Sequence, residues 1–91
     1  MSDLFDALAH PVRREILSLL RRAPMNAGEI AGHFDLAKPT LSGHFNILKH
    51  ANLVTIERKG TVILYRLNMS TFEEAVAALI AIGQPKKGRT K

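Results

Sequence analysis

The apolar positions of this chain follow helical three-and-four spacing up to about residue 50, change to strand-like alternation near Leu53, and return to helical spacing at about Ser70. Leu4, Phe5 and Leu8 share one face of a first helix that Ser2 can cap and that runs to about Ala9. Pro11 interrupts it. The missing N–H of proline is harmless in a first turn, so a second helix runs from Val12 to about Arg22, with His10 displaced from helical geometry ahead of it. That helix buries Val12, Ile16, Leu19 and Leu20, exposes Arg13 and Arg14 at one end and Arg21 and Arg22 at the other, and stops at Pro24. Asn26 and Glu29 have the spacing of a capping-box variant, opening a short helix with Ile30, Ala31 and Phe34 inward.

After a tight turn at Asp35 and Leu36 comes a helix that starts near Ala37 or Lys38, carries Pro39 in its first turn and ends around Ala51 or Asn52. Leu41, Phe45 and Leu48 form its buried stripe. Two helices of about ten and fourteen residues joined by three or four match a helix-turn-helix. Beyond Leu53, LVTIE and TVILYRL flank Arg58-Lys59-Gly60, which predicts a β-hairpin with a basic tip and a glycine turn. Ser70 and Glu73 have the spacing of another capping box, opening a last helix to about Ile82 with Gly83 as its stop. The expected fold is therefore mainly α with a two-stranded β wing, a winged helix-turn-helix. It forms one domain over residues 1–83, followed by a disordered basic tail at 84–91.

Composition changes this picture in two ways. With 46% hydrophobic but 5% aromatic residues in 91, the core must be aliphatic, and a chain of this size completes such a core readily by dimerising. The net charge of +5 points less firmly to an anionic partner than it first suggests. Four of the 13 basic residues lie in the last eight positions, which leaves nine against eight acidic side chains. The absence of cysteine excludes disulfides and thiolate metal sites. No apolar run reaches the roughly 18 residues of a membrane span and no signal peptide is visible, so membrane insertion is not expected and a cytoplasmic location is.

The second face of the helix at Leu36–His50 is compact, with Thr40, Ser42, Gly43, His44 and Asn46 in place of the usual Glu and Lys. Short polar side chains near the start of a helix suit the DNA major groove. The order of elements, with ALAHPVRREIL, KPTLSGHFNILKHANLV and IERKGTVILYRL in place, resembles the ArsR/SmtB-type bacterial transcriptional repressors over most of the chain. The resemblance implies a homodimer packed through its first and last helices, repressing transcription from a palindromic operator in double-stranded DNA. It implicates Lys38, Pro39, Thr40, Ser42, Gly43, His44 and Asn46 in DNA contact. Lys49 and the wing residues Arg58, Lys59 and Gly60 would add phosphate or minor-groove contacts. Leu4, Phe5, Leu8, Phe72, Val76, Leu79 and Ile80 are more apolar groups than a small monomer can hide, and form the expected dimer seam.

Relatives commonly have Ser-His-His where this chain has Ser42-Gly43-His44. Gly43 either permits close backbone approach or is tolerated drift. The cysteine places of metal-sensing relatives are taken by Asn26 and Gly28, and Glu73 with Glu74 do not replace the His and carboxylate ligands that others carry on the last helix. The chain thus looks like the small autorepressor subgroup without sensing ligands, and no metal or cofactor is implied. The signal that releases DNA stays open among a sequestering protein partner, a small molecule and dilution.

The histidines at 10, 33, 44 and 50 contain no i, i+4 pair, which argues against a metal site. His44 is expected to point outward toward a phosphate or base. No nucleophile–base pair, phosphate-cradling loop or metal constellation suggests an enzyme. The rival readings are a protein-interaction module with a vestigial DNA surface, and an architectural DNA binder without operator choice.

Overall fold

The computed structural model describes residues 2–83, with side chains from Leu4 onward. The expected tail at 84–91 and the side-chain cap from Ser2 lie outside what is described. The elements in order are α1 (Ser2–Leu8), α2 (Pro11–Arg22), α3 (Ala27–Ala31), α4 (Lys38–His50), β1 (Val54–Lys59), β2 (Val62–Leu67) and α5 (Met69–Gly83). This is the winged helix-turn-helix predicted from the sequence. No helix among the described residues is long and apolar enough to cross a membrane.

Local chemistry sets most of the boundaries. His10 is the N-cap of α2, its Nδ1 accepting from the Val12 N–H at 3.1 Å, with Pro11 filling the first turn. Asn26 and Glu29 make the reciprocal capping box at α3, at 2.7 and 2.9 Å. α3 is shorter than the sequence suggested. After Ala31 the chain tightens into i→i+3 bonds, His33 N–H to Ile30 and Phe34 N–H to Ala31, so residues 32–34 wind without being α-helical. The capping box expected from Ser70 and Glu73 is not the one used: α5 begins at Met69, and Asn68 Oδ1 accepts from the Thr71 N–H at 3.4 Å. An asparagine two residues earlier takes the Thr71 N–H instead.

The carboxyl end of α4 closes with a Schellman arrangement. Asn52 N–H bonds Lys49 O at 2.9 Å and Leu53 N–H bonds Leu48 O at 3.0 Å, while Asn52 takes φ +63°. Leu48 and Leu53, both fully buried, supply the apolar contact that accompanies this cap. The chain then enters β1 directly, and Asn68 holds the exit of β2 beside it through bonds to Leu53 O and Asn52 O.

β1 and β2 pair antiparallel from Val54–Leu67 to Lys59–Val62. Arg58 and Lys59 are part of β1, so the turn is the two residues Gly60 and Thr61, with Gly60 at φ +62° as a tight hairpin requires. A third partner was not foreseen. Met25 forms an antiparallel bridge to Tyr65, with N–H···O distances of 3.1 and 2.7 Å, and so ties the segment before α3 to β2.

The core gathers Ala7, Ile16, Leu17, Leu19, Leu20, Ile30, Leu41, Phe45, Leu48, Leu53 and Val54. Val12, expected inside, is half-buried, and Leu17 takes a core place instead. α5 meets its own subunit through Ala75, which is fully buried, and through half-buried Thr71, Phe72 and Ala78.

Candidate nucleic-acid interface

α4 divides as its periodicity dictates. Leu41, Phe45 and Leu48 are buried, and Lys38, Pro39, Thr40, Ser42, Gly43, Asn46 and Lys49 are exposed on the remaining surface. Gly43 has nothing within 4 Å of the place a Cβ would occupy, so packing inside the subunit does not require glycine there. One exposed residue of α4 was missed in the sequence: Ile47, at 39% exposure. Its helical position signals it, since 43, 47 and 50 recur at four and three on the face opposite the core stripe, where His50 is exposed at the helix end.

His44 corrects the sequence reading. It does not point outward: it is 9% exposed and hydrogen-bonded inside the fold. The reason is geometric. Position 44 is three residues after Leu41 and four before Leu48, which puts it at the edge of the buried stripe whatever its polarity. Its Nδ1 lies 3.1 Å from Arg13 Nη1, and its ring centroid is 4.5 Å from that of His10.

Arg13 is the second correction. Expected on the surface, it is also 9% exposed, with Nε donating to Ala7 O at 3.0 Å and Nη2 to Asp6 O at 2.8 Å. A guanidinium has donors only, so His44 Nδ1 must be the acceptor and the neutral ring carries its hydrogen on Nε2. Burial first, then the positive character of His10 and Arg13, hold the His44 imidazole below its ordinary value. Beside this cluster Asp6, Arg13, Asn46, Ile47 and His50 line a groove of about 230 Å³ between α1 and α4.

On the wing, Arg58 and Lys59 are exposed next to Gly60. Arg66, the third basic side chain of the hairpin, bonds Glu57 and holds its carboxyl below the usual carboxylate range, so its charge is already matched. The wing is attached to α4 through Phe45 and Tyr65, whose ring centroids are 4.6 Å apart. The structure therefore puts the polar face of α4 and the basic wing on one connected framework.

Apolar side chains also stand exposed on α1 and α5. Phe5, Val76, Leu79 and Ile80 are exposed, and Leu4, Leu8 and Phe72 are half-buried. Met69 and Ile82, the latter 72% exposed, extend this character along α5 and were not singled out in the sequence.

Comparison with known proteins agrees with this architecture. Residues 10–55 match the profile described as bacterial regulatory protein, arsR family. The transcriptional repressor SdpR of Bacillus subtilis is 43% identical over 76 residues, covering 84% of each chain. An ArsR-like transcriptional regulator from Rhodococcus sp. RHA1 superposes with a TM-score of 0.77 at 29% identity, over 90% of this chain and 77% of that one. The homodimeric winged helix-turn-helix DNA-binding domain Mb0332 from Mycobacterium bovis does so with a TM-score of 0.74 at 25% identity, over 90% and 77%. With the helix-turn-helix matched from His10 to Thr55 and the fold shared across nearly its whole length, the chain belongs to the arsR family of bacterial regulatory proteins.

Proposed function

We propose that this chain is a homodimeric, sequence-specific DNA-binding repressor that recognises a palindromic operator, its own promoter being the first candidate. The observation that carries the reading is the face of α4. Thr40, Ser42, Gly43 and Asn46 stand exposed on a helix whose opposite stripe is fixed in the core, flanked by Lys38, Pro39 and Lys49. Such a face can approach base edges without long side chains in the way. Lys38, Lys49, Arg58 and Lys59 supply phosphate contacts, with Gly60 keeping the wing tip narrow, and make affinity strongly salt-dependent. His44 is withdrawn from the contacting set, because its ring faces Arg13.

Dimerisation rests on exposed Phe5, Val76, Leu79 and Ile80, with half-buried Leu4, Leu8 and Phe72, as apolar groups that a second copy would cover. The homodimeric state of the Mycobacterium bovis domain supports it. The repressing role follows the character of the relative from Bacillus subtilis. Because the 91 residues contain no cysteine, sensing through a thiolate metal site has no ligands here.

Selection from a random duplex pool, followed by footprinting, tests this function. The expected product is an inverted repeat whose half-site centres are about 34 Å apart, or one helical turn. Equal protection of random and selected duplexes would favour an architectural binder, and no retention of DNA at moderate salt would favour a protein-interaction module.

A further inference from the structure

Arg13 makes three directed bonds to three places: the carbonyls of Asp6 and Ala7 at the end of α1, and the imidazole of His44 in the middle of α4. An aliphatic side chain could fill the same space without fixing a direction. A guanidinium held at all three nitrogens defines both the distance and the rotation of α4 relative to the corner between α1 and α2. His10 braces the same corner, since its Nδ1 caps α2 while its ring lies tilted by 53° against that of His44.

We propose that Arg13 is the positioning residue of the α4 reading face, and that it holds this role only while His44 is neutral, so that operator recognition is lost on acidification. The functional half of this inference rests on the repressor reading given above; the pairing itself does not. A proton on His44 Nδ1 would put a second donor and a second positive charge 3.1 Å from Arg13 Nη1, turning an attraction into a repulsion. The charged and titratable groups facing His44 are Arg13 from α2 and His10 from the corner. Asp6 on α1 and His50 on α4 line the adjoining groove with Arg13. The direction of the effect separates it from ordinary charge. Positive charge added to a DNA-facing surface in acid strengthens DNA binding, whereas protonating His44 releases the helix that reads.

Two measurements on the whole chain test this. In the first, long-range proton–nitrogen NMR of the free protein should show the Nε2–H tautomer of His44 at pH 8, and a midpoint below the ordinary imidazole value. A His44 with Nδ1 protonated at pH 8 overturns the pairing.

The second measurement uses a duplex selected by the wild-type protein at pH 8, with binding followed to pH 5.5 at constant salt. Wild-type affinity should fall, while His44→Gln, which keeps an acceptor for Arg13 but cannot titrate, should bind equally or more tightly in acid. Arg13→Lys should lose roughly tenfold or more on the selected duplex, the scale of one charged hydrogen bond, with nonspecific duplex binding nearly unchanged. Acid-strengthened wild-type binding, or retained selectivity in a folded Arg13→Lys, overturns positioning. If the wild type selects no duplex, the repressor reading and the functional half fall together, and the NMR measurement still decides the pairing.

Discussion

The rings of Phe45 and Tyr65 lie 4.6 Å apart at 31°, joining the buried side of α4 to the inner face of the hairpin. This aromatic pair is one of the contacts that hold the wing against α4. Phe45→Ala is expected to cost about 3 to 5 kcal/mol, the range for removing a buried phenylalanine. Tyr65→Ala should cost less, because Tyr65 is half-exposed. Urea unfolding followed by circular dichroism measures both, and a loss below about 1 kcal/mol for Phe45→Ala would contradict this packing.

Gly43 gives effects of opposite sign on stability and binding. A methyl group there meets nothing within the subunit, so Gly43→Ala should stabilise the fold by about 0.5 to 1 kcal/mol through helix propensity alone. If the bare backbone serves close approach, the stabilised variant should bind the selected duplex more weakly. Thermal melts paired with gel shifts read the two together, and unchanged affinity would make the glycine incidental to DNA binding.

Stability should depend on pH through His44. Its folded-state value is lowered, so the unfolded chain takes up more protons once the pH drops below about 6.5. The contribution is complete above that pH and is lost as pH falls toward the folded value. Glu57 acts in a separate, more acidic window. Held low mainly by its hydrogen bond from Arg66, it contributes above about 4.5 and loses that contribution below. Urea midpoints at a series of pH values should show the first decline in the wild type and not in His44→Gln.

Lys59 and Asn46 should separate affinity from choice. Lys59→Ala is expected to weaken all duplexes alike and to reduce the slope of log affinity against log salt by about 1. Asn46→Ala should leave nonspecific binding intact and relax the preference among selected sequences by about 1 to 3 kcal/mol. Titrations at three salt concentrations distinguish the two patterns.

Ile80, 51% exposed in the single chain, tests the dimer without threatening the subunit core. Ile80→Glu should keep the helical signal and shift sedimentation to the monomer at micromolar concentration. A wild type that already sediments as a stable monomer would remove both the seam and the palindromic operator.

The element order, the stripe of α4 and the capping box at Asn26 were legible because each is written in neighbouring residues. Arg13 and His44 were not, since they lie 31 positions apart and each is chemically at home on a surface. Only the helical angle of residue 44 signalled burial, and its polarity outweighed that signal in the reading. The Met25–Tyr65 bridge is a backbone pairing that side-chain pattern cannot announce. At α5 the sequence pointed to Ser70, whereas Asn68, not considered as a cap there, accepts from the Thr71 N–H.

That bridge also bears on how copies of this chain avoid sticking together. A two-stranded hairpin has two open edges, each a template for strands of other molecules. Here Met25 covers the outer edge of β2 at its midpoint, and Pro24 beside it has no N–H to offer. The edge of β1 carries Glu57, Arg58 and Lys59, whose charges discourage stacking. Each edge of the hairpin thus carries a feature that discourages pairing with strands of other molecules.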